Sequence, residues 1–168
     1  MGLIQVATET VTSAVAQVDL VGITTDDVYM VAISGLNLAS DQDLNFRVLK
    51  SSSPDTTYNY DGAFTVLRTD TTFTKSGYVN NDSWFIDWFG DGVDEMGNCI
   101  LYLYNFNSSS EYSFATQEGV AVDNANPTLK GRTGGLVHTV ASASNGIRFF
   151  GLSSVNISAG TFTLYKVT

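Results

Sequence analysis

Histidine and cysteine each occur once in this 168-residue chain, proline twice, and lysine and glutamate four times apiece. Each scarcity removes a class of protein. A single Cys99 excludes an internal disulfide, and one Cys with one His cannot supply the ligand set of a zinc site. Any Ser-His-Asp hydrolase would have to use His138, and no Gly-x-Ser-x-Gly turn accompanies it. With so few Lys and Glu, the chain cannot furnish the exposed faces of a helical bundle or coiled coil. Eight basic residues against 17 acidic ones leave a net charge of −9, and residues 1–46 hold six acids and no base. Phosphate backbones are bound through basic patches, so nucleic acid and anionic membrane surfaces are excluded as partners. No apolar run approaches the ~20 residues of a membrane-spanning helix. Residues 2–20 alternate apolar with polar and do not form the basic start and apolar run of a secretory signal.

What fills the composition is β-forming and small. Thr occurs 19 times, Ser 17 and Asn 12, while Val, Ile and Thr together number 43, a set suited to pleated, half-buried surfaces. The pattern predicts strands over Leu3–Thr10, Ala14–Val21, Val28–Ser34, Leu44–Leu49, Ala63–Thr69 and Ser83–Phe89. Further strands are predicted over Cys99–Phe106, Glu111–Gln117, Leu136–Ala141, Ile147–Leu152 and Thr161–Val167. Leu44, Phe46 and Val48 alternate with Asn45 and Arg47, the signature of one buried face. Asn145-Gly146 predicts a hairpin between its flanking apolar runs, and Ser158-Ala159-Gly160 a second one. Asp61-Gly62, Gly90-Asp91-Gly92 and Gly134-Gly135 read as further turns, residues 51–57 as an exposed loop, and Pro127 as part of another. About eleven strands at short spacing, with no helical stripe and no linker, predict one domain over residues 1–168. Its class is all-β, an antiparallel β-sandwich or jelly roll with little or no helix.

Candidate chemistry is thin. Asp82, Asp87, Asp91, Asp94 and Glu95 lie close together with no base between them. Asp91–Glu95 offers oxygen ligands on a turn but departs from the EF-hand spacing, and a solvated acidic loop accounts for it. A glycosidase pair of carboxyls is satisfied by chance in any acidic β-protein. No catalytic, cofactor or metal residue is assigned, and the chain is read as a non-enzyme. Cys99 falls in a strand and reads as a buried, inert thiol. The Asn-x-Ser triplets at 81, 107 and 156 are expected by chance in so Asn- and Ser-rich a chain. The densest feature is Trp84-Phe85-Ile86-Asp87-Trp88-Phe89. As a regular strand it places Trp84, Ile86 and Trp88 on one face and Phe85 and Phe89 on the other. Two apolar faces point to burial on both sides, either within the chain or by a neighbour. Trp84, Phe85, Trp88 and Phe89 are therefore candidate interface residues, and residues 118–132 are the stretch of this chain that could cover them instead.

Three stretches carry a resemblance. They are Leu3–Val6 leading into Val28-Tyr29-Met30-Val31-Ala32-Ile33-Ser34-Gly35-Leu36, then Leu44–Leu49 with its Ser/Asp/Tyr-rich loop. The third joins Gly146–Phe150 to Asn156-Ile157-Ser158-Ala159-Gly160-Thr161-Phe162-Thr163-Leu164-Tyr165. In these the chain resembles small β-sandwich virion proteins of tailed phages, especially marine and cyanobacterial ones, while roughly residues 70–98 are unmatched. The resemblance implies a structural protein without catalytic residues or cofactors, on the exterior of the capsid or tail and assembled in the host cytoplasm. The leading expectation is a capsid decoration or cement protein that binds the major capsid protein and itself, as a homotrimer. The alternative is a fibre-tip or tail-associated receptor-binding module that recognises a surface glycan.

Overall fold

The computed structural model describes residues 2–123 and 128–168. It is all-β, with about 65% of the chain in strands and 2% helical. In chain order the strands are β1 (Leu3–Val11), β2 (Gln17–Val21), β3 (Tyr29–Leu38), β4 (Gln42–Lys50), β5 (Ser53–Pro54), β6 (Tyr60–Arg68) and β7 (Phe73–Asn81). There follow β8 (Trp84–Phe89), β9 (Gly97–Tyr104), β10 (Ser113–Asp123), β11 (Thr128–His138), β12 (Gly146–Gly151) and β13 (Ile157–Val167). A single 3-10 turn, Leu152–Ser154, precedes β13.

These strands form two antiparallel sheets. One runs β1-β13-β3-β9-β10-β11-β6-β7; the other runs β2-β12-β4, with β5 and β8 both on the far edge of β4. Eight of the strands reproduce the wrapped order of a jelly roll: β1-β13-β3-β9 in one sheet and β2-β12-β4-β8 in the other. The remaining long strands enter as two insertions, β6–β7 before β8 and β10–β11 after β9. Both insertions join the same sheet and widen it from four strands to eight. The wide sheet therefore overhangs the narrow one on the side of β8.

The core lies between the sheets and is filled from alternate positions, as the strand period requires. Leu44, Phe46 and Val48 of β4 meet Val31, Ile33, Leu101 and Leu103 of the wide sheet, all buried. A run of ring contacts crosses this interior: Phe162 to Phe149 at 5.2 Å, Phe149 to Phe46 at 5.6 Å, Phe46 to Trp84 at 4.8 Å, and Trp84 to Tyr60 at 5.0 Å. Trp84 is fully buried, and its Nε1–H donates to the Val137 carbonyl at 3.1 Å, so one side chain ties the narrow sheet to the wide one.

Several turn readings are corrected. Asn145-Gly146 does not close a hairpin: β11 lies in the wide sheet and β12 in the narrow one, where Ile147 pairs with Leu20 and Val48. The Asn145 carbonyl instead accepts from Gly22 and Ile23 as the chain crosses over. Ser158-Ala159-Gly160 lies inside β13, whose pairing with β3 slips there, and Gly160 takes the φ of +141° that this irregularity needs. Asp61-Gly62 and Gly134-Gly135 are strand interior. A Cβ on Gly62 would stand 2.6 Å from the Tyr78 ring, so that glycine marks close packing and not a turn. The sequence pattern also missed β7, an exposed edge strand without apolar alternation, and β5, inside the expected loop. The loop expected at Pro127 lies outside the described residues.

Replacing Trp84 by Ala removes the largest buried side chain and the bond to Val137. Urea unfolding should show a loss of ~3–5 kcal/mol, the range for a buried Trp or Phe cut to Ala.

Candidate functional site

The aromatic strand β8 is the first candidate, and a bulge decides its geometry. Asn45 pairs with Phe85 but Leu44 with Asp87, so Ile86 is the extra residue and the alternation reverses after it. Trp84 and Ile86 point into the core, and so do Asp87 and Phe89. The regular two-faced arrangement expected from the sequence is thus replaced. Trp84 and Phe89 are fully buried within their own chain, Phe85 is partly buried, and Trp88 is 38% exposed. Of the four candidates, only Phe85 and Trp88 have surface to offer a partner.

Among the described residues no strand pairs with the outer edge of β8, yet backbone groups there are bonded. Phe85 N–H donates to Tyr78 Oη at 2.9 Å, and Trp88 N–H donates to the Asp87 carboxylate at 2.8 Å. Arg132 Nη1 donates to the Ile86 carbonyl at 3.0 Å, and Lys130 Nζ to the Trp88 carbonyl at 3.3 Å. Both cations are buried, and the Asp87 carboxylate faces them at 3.5 Å from Arg132 and 3.9 Å from Lys130. The Arg132 guanidinium also lies 4.0 Å from the ring centroids of both Phe64 and Phe85. Stacking of this kind holds a weakly hydrated cation away from water. Of residues 118–132, the described ones, 118–123 and 128–132, belong to β10 and β11, and side chains from them cover the strand. Lys130 and Arg132 escaped the sequence reading because charged residues at inward strand positions invert the usual polarity rule. The signal that could have found them is the alternation Leu129, Lys130, Gly131, Arg132.

His138 is the second candidate. It is fully buried at the end of β11, 4.7 Å from the Tyr60 ring, with Nε2 3.2 Å from Asp55 Oδ2. Burial works against the Asp55 charge, but bonds from Lys50 and Thr57 prevail and hold that carboxyl well below its usual range. Burial likewise lowers the His138 pKa against the pull of Asp55. The His138 ring is buried against Tyr60 and Trp84. Cys99 is buried too, with its thiol pKa pushed up by burial, as befits an inert thiol.

In the acidic turn, Asp91 and Glu95 are joined by Asp41. Ligand oxygens of the three lie within 4.8 Å of one another. Asp41 accepts from Asp91 N–H at 3.2 Å and Glu95 from Gly92 N–H at 3.1 Å. All-oxygen donors of this kind suit a hard cation such as calcium, but those two carboxylates already serve the turn itself.

The third surface was not anticipated. Along the outer face of the wide sheet, the outward positions of β3, β9, β10, β11 and β6 carry only Asp61 and Glu118 as charges. Leu67, Ile100, Phe114, Val120 and Leu129 are each more than two-fifths exposed there. Down the middle, β11 turns Gly131, Thr133 and Gly135 outward, leaving a trough with depressions of about 390 Å³ and 540 Å³ near its two ends. A Cβ on Gly131 or Gly135 would meet nothing within 4 Å. Packing does not require these residues to be bare, although Gly in a strand is disfavoured by ~0.5–1 kcal/mol relative to Ala.

No protein-family model matches this chain, and no curated protein matches it either. Among the described residues, no helix is long and apolar enough to cross a membrane.

Removing the Arg132 charge takes from Asp87 the nearer of its two cations and from the Ile86 carbonyl its donor. Arg132→Met should cost ~3–5 kcal/mol in urea unfolding, and Arg132→Met with Asp87→Asn should cost less than the two single changes summed. For His138 the pH dependence has a definite sign. Burial holds the imidazole pKa of the folded chain below the ordinary value of 6.5, near which the unfolded chain binds its proton. Its contribution is complete above that value and is lost as the pH falls below it. Thermal melts of His138→Gln should therefore show a shallower fall in Tm between about pH 7 and pH 5 than the unchanged chain.

Proposed function

We propose that this chain is a virion structural protein without enzymatic activity: a capsid decoration protein that binds the outer shell and bridges neighbouring major capsid proteins. The observation that carries this reading is the outer face of the wide sheet. It is broad, nearly free of charge and apolar, in a chain whose net charge is −9. Exposed apolar surface of this extent marks interaction sites in soluble proteins. With Asp61 and Glu118 its only acids on β3, β9, β10, β11 and β6, it can meet another protein surface with little like-charge repulsion. The insertions β6–β7 and β10–β11 build this face, and the jelly roll itself has no need of them. Jelly rolls occur among viral capsid and lectin domains, which is support at the level of fold analogy only. The likeness of both chain ends to small phage virion proteins points the same way. Trimeric attachment would let several modest contacts combine into durable binding.

The bare trough supplies the test. Gly131→Tyr and Gly135→Tyr place rings in open space and should leave the melting temperature within a few degrees of the unchanged chain. Both should abolish binding to particles stripped of the protein. Purified particles should carry on the order of hundreds of copies, as a symmetric shell demands. A handful of copies per particle, or full binding by the double variant, would overturn the reading.

A further inference from the structure

β7 ends the wide sheet, and its outer edge is open. Alternate residues of an edge strand turn their N–H and C=O groups away from the sheet. Among the described residues, no strand and no side chain bonds to that row along Phe73–Val79. The edge of β8, by contrast, is closed by Tyr78, Lys130 and Arg132. The opposite end of the wide sheet is guarded in another way. β1 is broken by a register shift between Gln5 and Ala7, and it carries Glu9 in a chain of net charge −9. Bulges and charges are usual guards of an edge. β7 pairs with β6 without interruption from Phe73 to Tyr78, holds no acid, and has Lys75 as its one charge.

The residues of β7 are also self-complementary. Phe73 and Val79 each lie three positions from Ser76, on one face of the strand, and are 58% and 72% exposed. Laid antiparallel against a copy of itself about Ser76, the strand sets Phe73 against Val79 of the second copy, Thr74 against Tyr78, Lys75 against Gly77, and Ser76 against Ser76. An aromatic residue directly opposite a β-branched one favours a strand pair, and like charges directly opposite disfavour it. This register makes the first contact twice and the second not at all.

We propose that β7 pairs with β7 of a second copy, antiparallel and centred on Ser76, joining two wide sheets edge to edge. The two-fold axis stands perpendicular to the sheets and keeps both outer faces on the same side, so the pair presents one continuous apolar face. The joint uses the edge of the sheet and does not depend on the shell contact proposed for that face. It cannot build a trimer; it ties a copy at one attachment point to a copy at the next. A single strand pair is small beside the ~1,200–2,000 Å² of stable interfaces. The free pair is therefore weak, and it strengthens when both copies are held on one surface.

The experiment is disulfide capture in solution with the full chain, whose own Cys99 is buried. Directly opposed residues bring their Cβ atoms within ~4.5–5.5 Å, near the span of a disulfide. Ser76→Cys should form a crosslinked dimer at least tenfold faster than Ser13→Cys, an exposed position between β1 and β2. Mixed chains bearing Phe73→Cys and Val79→Cys should crosslink to each other in preference to themselves. Phe73→Lys should slow capture through Ser76→Cys at least tenfold, and adding Val79→Glu should restore it, because opposite charges then meet at both ends of the joint. Capture of Ser76→Cys no faster than that of Ser13→Cys overturns the proposal. So does crosslinking of Phe73→Cys or Val79→Cys mainly with itself, which would mean a different register. Loss of Ser76→Cys capture on adding Gly131→Tyr also overturns it, since the self-contact would then lie on the outer face.

Discussion

The free edge of β8 is the constraint around which the molecule is organised. A strand at a sheet edge carries unpaired N–H and C=O groups, and leaving them buried and unbonded is costly. Here the edge is tucked beneath the overhanging wide sheet, and side chains from that sheet take the place of a missing strand. Tyr78, Lys130 and Arg132 bond to it directly, and Asp87 closes the remaining N–H. The rest follows in order. Two cations inside a sandwich need an anion, which Asp87 provides, and Phe64 and Phe85 flank the guanidinium. Asp87 points inward only because the bulge at Ile86 reverses the strand. The inserted strands are therefore structural partners of the jelly roll, since its strand β8 is capped by their side chains.

Much of the fold was legible in the sequence because strands with one buried face announce themselves. Leu44, Phe46 and Val48 did so, as did Phe162 and Leu164. What escaped was anything for which alternation carries no information. β7 is nearly all exposed, so neither of its faces is apolar. The bulge in β8 shifts Trp88 and Phe89 by half a period relative to Trp84 and Phe85, and a bulge leaves no mark in composition. Asn-Gly at 145–146 has hairpin chemistry, but turn chemistry cannot reveal that the flanking strands belong to different sheets. Glycine was the most misleading residue. In β6 and β11 it makes room for a neighbour or leaves a surface bare, and neither use differs in sequence from a turn.

The candidate site was less legible than the fold for a related reason. Aromatic density at residues 84–89 drew attention to the strand that turned out to be largely interior. The exposed apolar face is assembled from single residues on separate strands, Leu67, Ile100, Phe114, Val120 and Leu129, which only the pairing register brings together.

The pairing of β1 with β13 also governs how the chain reaches this structure. Thr8 bonds to Thr163 across 155 positions of sequence, and Gly2 and Thr168 exchange backbone hydrogen bonds. β1 is therefore made long before the strand that houses it. Until residues 157–167 have been synthesised, it has no sheet to join. Contacts of such long sequence separation bring large loop-closure penalties and slow the search for the native state. During that interval Leu3, Ile4 and Val6 belong to a strand with both edges open. Its resistance to misassembly then rests on the polar residues of the same strand, Gln5 between them and Thr8, Glu9 and Thr10 after them, which keep the waiting strand soluble until its partner arrives.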